Sequence, residues 1–195
     1  MSPKHVTDSS KRGKSNTVLR GKTKMTNESI TAANAALNSG SDLEGKWLTF
    51  WLDGQLYSLS ILNVEQIVSM QPITEMPEYP AYAKGIINLR GNIIPLIDLR
   101  LRLGKKEAEY NDHTCVIINK VQGSMIGFIV DEVDAVVDIT ADIVSKPPRM
   151  DDRGESYLIG VARLPDNGKE KIVLCLDGTR VLKNDELDML ISANA

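Results

Sequence analysis

Side chains capable of chemistry are few in this sequence of 195 residues. It has only two histidines, His5 and His113. A hydrolytic triad would have to use His113, because His5 lies in a lysine-rich N-terminal segment and there is no Gly-x-Ser-x-Gly elbow. The sequence also lacks a Gly-x-x-x-x-Gly-Lys-Ser/Thr loop and a Gly-x-Gly-x-x-Gly motif. We therefore predict no catalytic residue and no bound cofactor, and an enzyme centred on His113 is a remote alternative.

The cysteines and the densest acidic cluster are expected to be structural. Cys115 and Cys175 lie inside apolar runs, with no histidine or further cysteine at metal-ligand spacing. They are predicted to be buried, reduced thiols. The acidic cluster lacks the spacing of a calcium loop and alternates with valines, which is typical of the solvent side of a half-buried strand; its members are Asp131, Glu132, Asp134 and Asp138. No metal site is predicted.

Charge divides the chain into a basic tail and an acidic body. Residues 1–40 contain seven Lys or Arg and two acids, a net of +5, whereas the remainder has 16 bases and 24 acids, a net of −8. Residues 1–44 are rich in Ser, Thr, Asn and Lys, so they are predicted to be disordered, with at most a short helix near Glu28–Leu37. An acidic body with 5% aromatic residues argues against nucleic-acid binding. A small-ligand or nucleic-acid-binding barrel anchored by the tail is the alternative function.

The sequence contains no secretory leader pattern and no apolar run long enough to span a bilayer, so the expected location is cytoplasmic.

From Lys46 onward, about ten short apolar runs alternate with turn residues, which predicts an all-β fold of barrels or a sandwich. Asp53-Gly54 predicts a two-residue hairpin turn, and a further turn is expected at Leu89–Asn92. Pro95 predicts an edge strand or a bulge, because proline cannot donate to a ladder. Leu99–Leu103 fits a strand and a helix equally well, whereas Thr179–Ile191 has the spacing of an amphipathic helix.

The segment Lys84–Arg100 reads KGIINLRGNIIPLIDLR. This order resembles the signature of CheW-family coupling proteins: Lys-Gly, two apolar residues, Asn-Leu-Arg-Gly, an apolar strand containing Pro, then Asp-Leu-Arg. Phe50–Ile67, Gly127–Asp131 and Tyr157–Gly160 resemble the family as well, so that the likeness covers residues 45–192.

The resemblance implies two packed, five-stranded SH3-like barrels that exchange segments over residues 45–192, followed by the C-terminal amphipathic helix. It also implies a non-catalytic adaptor that couples methyl-accepting chemoreceptors to the histidine kinase CheA in chemotaxis. The implied partners are the regulatory domain of the kinase and the cytoplasmic tip of the receptor, with assembly into arrays. Contact with the membrane would be indirect, through receptors, and neither nucleic acid nor a cofactor would be bound.

Arg90 is the first candidate for partner binding, because Gly91 can adopt positive φ and the hairpin would then present the arginine outward. Its alternative role is a solvated turn residue, and Asn88 is expected to hold the turn through backbone hydrogen bonds. The resemblance places Val64 and Ile67 on one wall of a receptor groove. It places Gly127, Val133 and Val136 on the facing wall.

Plain core packing is the alternative for these apolar residues. Cys115 stands where the family often has an apolar residue in this groove. The sequence departs from the family at Gln66, where many relatives have Glu, and has its acid one place earlier, at Glu65. An acidic contact at this place is therefore not carried over.

Overall fold

The computed structural model describes residues 43–147, 157–166 and 168–192. Nearly all of the predicted tail, including the expected helix near Glu28–Leu37, lies outside these ranges.

Within the described ranges the chain forms eleven strands and two α-helices, with one 3-10 helix at Ile61–Asn63. The strands are β1 Gly45–Leu52, β2 Gln55–Ser60, β3 Val64–Ser69, β4 Ala83–Leu89, β5 Asn92–Asp98, β6 Cys115–Val121, β7 Ser124–Val130, β8 Glu132–Ile139, β9 Val144–Ser145, β10 Leu158–Asp166 and β11 Lys169–Leu176. The helices are α1 Leu99–Arg102 and α2 Asn184–Ser192.

The strands form two sheets, which confirms the predicted two-part all-β fold. One sheet has the order β8-β1-β2-β11-β10-β9 and the other has the order β3-β6-β7-β5-β4. The chain therefore leaves the first sheet after β2, builds the whole second sheet, and returns at β8. The first sheet has six strands where five were expected, because the two-residue strand β9 pairs with Val161 and Ala162 of β10.

The hairpins follow the local turn chemistry. Asp53 and Gly54 have φ of 52° and 69°, and Arg90 and Gly91 have φ of 54° and 90°. Positive φ at both central residues of a two-residue connection is the signature of a type I′ turn, which suits the twist of the flanking strands. Both predicted hairpins are confirmed.

Pro95 does not lie in an edge strand, since β5 is flanked by β4 and β7. Its partner in β4 is Ile86, which exchanges both backbone hydrogen bonds with Thr74 on the other side of β4. The Ile86–Pro95 pair is therefore a non-hydrogen-bonded pair of the antiparallel ladder. The parallel ladder with β7 begins only at Leu96, so the missing N–H interrupts neither pairing.

Both helices are short, with four and nine residues. Leu99–Arg102 is helical rather than extended, and the Asp98 carboxylate accepts the Leu101 N–H at 3.2 Å as an N-cap. The predicted C-terminal helix is present but starts at Asn184, after the buried residues Val181 and Leu182.

The largest core cluster lies between the two sheets. It unites side chains of the first sheet, such as Leu48 and Phe50, with Ile117 and Phe128 of the second sheet. Smaller clusters fill the far side of each sheet. Both cysteines are free thiols, with Cys175 fully buried and Cys115 half-buried.

Candidate partner-binding surfaces

The Arg90 turn is the most exposed of the predicted sites. Asn88, Arg90 and Gly91 are all exposed, and the Asn88 side-chain oxygen accepts the Gly91 N–H at 2.8 Å. That bond closes the turn and holds Arg90 in the left-handed region, which an L-residue other than glycine seldom adopts. Arg90 is exposed to solvent and forms no salt bridge with another described residue.

Exposed apolar side chains accompany this turn at one end of the second sheet. The parallel register of β5 and β7, Leu96 with Gly127, places the Arg90-Gly91 turn beside the turn between β6 and β7. Ile93 and Met125 follow these turns and are 42% and 38% exposed. An arginine beside exposed apolar surface is the usual composition of an interface anchor. Sequence reasoning missed Ile93 and Met125, because alternation in a strand does not reveal which strand ends project beyond the neighbouring elements.

A β-bulge brings Val64 and Ile67 to one face of β3. The register with β6 shifts between Val64 and Gln66, so Glu65 is the extra residue of the bulged strand. Without a bulge, two residues three positions apart would face opposite ways. With it, both pack against the cluster between the sheets, Val64 fully buried and Ile67 half-buried. Glu65 is exposed and Gln66 is half-buried.

Cys115 contacts both β3 and β8, the strand with which the chain returns to the first sheet. It is paired with Ser69 of β3, and its thiol makes a hydrogen bond with the backbone of Val133 in β8. Burial raises the pKa of this thiol to about 11, the Val133 bond opposes the rise, and the nearby charge of Glu132 adds to it. Cys115 therefore behaves at neutral pH as a small apolar residue.

The structure brings four predicted or noted groove residues to one cluster. Half-buried Ile67, Cys115, Val133 and Val136 all pack against the core between the sheets and keep part of their surface exposed. A surface of such half-buried side chains, three aliphatic and one a thiol, can accept the apolar face of a helix.

Gly127 lies on the opposite face of the second sheet and is fully buried. A Cβ added there would lie 2.4 Å from Leu96 Cδ2 and 2.7 Å from Val116 Cγ1. Packing inside the second sheet thus accounts for a glycine at this position. Val64 likewise has only 1% of its surface exposed. Direct partner contact through either residue stays a prediction.

The acidic cluster is engaged within the protein. Asp138 pairs with Lys46 at 2.8 Å, and Asp134 accepts the Thr49 hydroxyl at 3.2 Å. Asp131 binds Arg100. Among the described residues no group of three or more His, Cys, Asp and Glu could hold a metal ion. No helix in the described part of the chain is long and apolar enough to cross a membrane.

Comparison with known proteins gives the family. A family model described as "CheW-like domain" matches residues 46–186. The chemotaxis protein CheW of Treponema pallidum is 34% identical over 156 residues, which cover 77% of this chain and 89% of that relative. The chemotaxis protein CheW of Klebsiella aerogenes is 28% identical over 153 residues, with 78% and 90% covered.

A solved structure agrees with the sequence relatives. The crystal structure of the scaffolding protein TtCheW from Thermoanaerobacter tengcongensis superimposes with a TM-score of 0.64 at 31% identity. The match covers 73% of this chain and 95% of the other. By the match over residues 46–186, this chain belongs to the CheW-like domain family.

Proposed function

We propose that this chain is a chemotaxis coupling protein that joins methyl-accepting chemoreceptors to the histidine kinase CheA and turns over no substrate itself. The observation that carries the proposal is the family match over residues 46–186, together with the likeness to a solved scaffolding protein. We assign the coupling role to residues 45–192 and leave residues 1–44 outside it. The proposed setting is the cytoplasmic face of a receptor array.

The Arg90 turn supports a contact with the kinase. It projects from one end of the second sheet, with exposed Ile93 beside it. An exposed guanidinium with no salt bridge in the described part of the chain offers a planar set of donors to carbonyl or carboxylate groups of a partner. We assign Arg90, with the turn residues Asn88 and Gly91, to the regulatory domain of CheA.

The half-buried side chains of one core cluster support a contact with the receptor; they are Ile67, Cys115, Val133 and Val136. These side chains share one core cluster, so their exposed parts are fixed in place by packing. A receptor helix laid along them would bury its apolar face, which is helix-in-groove recognition. In this assignment Val64 and Gly127 act by shaping the strands below the groove.

The test is reconstitution with purified CheA and a receptor cytoplasmic fragment from the same organism. We expect the chain to be retained with both partners and to make kinase activity depend on the receptor. A natively folded chain that binds neither partner, or binds both without changing kinase activity, would contradict the proposal.

A further inference from the structure

A cavity of about 450 Å³ lies where the 3-10 helix Ile61–Asn63 faces the turn at Gly178–Arg180. This volume is within the range of roughly 300–1,000 Å³ that is usual for binding sites. Leu59 and Leu176 are buried in its wall, whereas Leu62 is 58% exposed. None of the eight partner-binding residues predicted from the sequence lines it.

Asn119 places a polar side chain without hydrogen-bond partners in the wall of this cavity. Its side chain lines the cavity and is 0% exposed, and neither its amide oxygen nor its amide nitrogen has a hydrogen-bond partner among the described residues. A buried amide without partners lowers stability until a group with a donor and an acceptor reaches it. A Cβ added at Gly178 would lie 2.6 Å from Nδ2 of Asn119, so glycine leaves room for this amide.

The chain itself brings a candidate occupant to this place. Leu43 lines the cavity, and 42 residues precede it in the sequence. Six residue steps separate Leu37 from Leu43, a reach of about 20 Å when extended. A segment tethered this closely is present at a high effective concentration.

The sequence of that segment complements the cavity. Ile30, Asn34 and Leu37 are spaced i, i+4, i+7 and would share one face of the helix that the sequence predicts near Glu28–Leu37. A carboxamide has both a donor and an acceptor, so Asn34 carries the two kinds of group that the Asn119 amide lacks as partners. Residues 29–37 contain no charged side chain, and their burial would therefore desolvate no ion.

We propose that residues 29–37 dock into this cavity of the same molecule, with Asn34 paired to Asn119 and Leu37 covering Leu62. This contact would fix the point from which the basic residues before position 25 leave the body. This contact is independent of the coupling role.

Hydrogen exchange of the full chain, followed by mass spectrometry, tests the proposal. We expect amides of residues 59–63 and 29–37 to exchange at least tenfold faster in Leu37→Asp than in the unaltered protein. Val18→Asp makes the same change of charge and polarity in the tail outside the segment, and we expect it to leave both regions unchanged. Leu62→Asp changes an exposed residue of the cavity itself. It should also make the amides of residues 29–37 exchange faster, because it breaks the same contact from the cavity's side.

Three results would overturn the proposal. Residues 29–37 of the unaltered protein could exchange at the rate of an unprotected peptide. Leu37→Asp could leave residues 59–63 unchanged. Protection that increases with protein concentration would place the tail of a second copy in the cavity instead.

Discussion

Arg100 and Asp131 form a bidentate ion pair, with Nε 2.6 Å from Oδ1 and Nη2 2.5 Å from Oδ2. Arg100 belongs to α1, directly after the second sheet's strand β5, whereas Asp131 is the single residue between β7 and β8. The pair therefore fixes the point at which the chain returns from the second sheet to the first. The parallel geometry of the two bonds is the strongest arrangement that arginine and a carboxylate can adopt.

The turn of the first hairpin joins the same group. The Asp53 N–H donates to Asp131 Oδ2 at 2.8 Å, and the Asp53 carboxylate accepts Arg100 Nη1 at 3.3 Å. The hydrogen bond that Arg100 donates to Asp131 is the largest influence on the pKa of Arg100 and raises it. Elements of both sheets thus converge on one guanidinium, which ties the first hairpin to the point where the two sheets join.

Replacing Arg100 should destabilise the fold. Its side chain is 16% exposed and that of Asp131 is 29% exposed, so solvent screens the pair only in part. We expect Arg100→Ala to lower the free energy of unfolding by about 2 kcal/mol, since a charged partner is left partly buried. Urea unfolding measures the change. Lys105→Ala removes a longer contact with Asp53, 3.5 Å, and serves as the control; equal losses in the two variants would contradict the assignment.

Local chemistry made the hairpins predictable. The dipeptides Asp53-Gly54 and Arg90-Gly91 each contain a glycine that can take positive φ, and the flanking runs are apolar, so the turns follow from neighbouring residues alone. The helical state of Leu99–Arg102 also had a local signal in Asp98, whose carboxylate caps it. Spacing of the leucines alone could not separate helix from strand there.

The candidate surfaces were less predictable because they depend on contacts between distant segments. The bulge at Glu65, which turns Val64 and Ile67 to one face, is defined by the pairing of β3 with β6. The side chains that require a glycine at position 127 come from Leu96 and Val116, on two other strands. Exposure of Ile93 likewise depends on how far its neighbours extend. Each of these features belongs to the sheet and none to a local pattern.

The Arg90 turn should contribute to binding and little to stability. We expect Arg90→Glu to weaken the complex with CheA by about 2 kcal/mol, roughly thirtyfold in the dissociation constant, because a charge is reversed at an anchor. The midpoint temperature of thermal unfolding should change no more than it does in ordinary surface substitutions. Titration by calorimetry gives the affinity. Arg163→Glu alters another exposed arginine, on β10, and is the control for net charge; an unchanged affinity in Arg90→Glu would remove the turn from the interface.

Gly127 should prove intolerant of any side chain. The added methyl group of Gly127→Ala would overlap Leu96 and Val116 at 2.4 and 2.7 Å, and both are fully buried. We expect a loss of about 1–3 kcal/mol in the free energy of unfolding, the usual cost of overpacking. Ser124→Ala, a half-buried position on the same strand, is the control in urea unfolding. If Gly127→Ala kept full stability but lost receptor binding, the residue would act at the interface rather than in the core.

The C-terminal helix is held by Glu186, and this contact should weaken in alkali. Glu186 Oε1 accepts the Tyr82 hydroxyl at 2.7 Å, Arg102 donates to both carboxylate oxygens, and Arg102 also lies 4.8 Å from the centre of the Tyr82 ring. Burial, followed by the hydrogen bond to Glu186, raises the pKa of Tyr82 from 10.0 to about 12. The hydroxyl therefore keeps its proton in the native state at pH values where the unfolded chain has lost it.

The sign of the effect follows from this difference in proton binding. The contribution of Tyr82 to stability is complete below pH 10 and is lost as the pH rises from about 10 to about 12. We expect Tyr82→Phe to be less stable than the unaltered protein by about 1.5 kcal/mol at pH 8, the contribution of a hydrogen bond to a charged group. The difference should shrink steadily above pH 10. Urea unfolding of both proteins at pH 8, 10 and 11 measures it, and comparison of the pair cancels the titration of the other tyrosines. A difference that stays constant from pH 8 to pH 11 would mean that the Tyr82–Glu186 bond does not hold the helix in place.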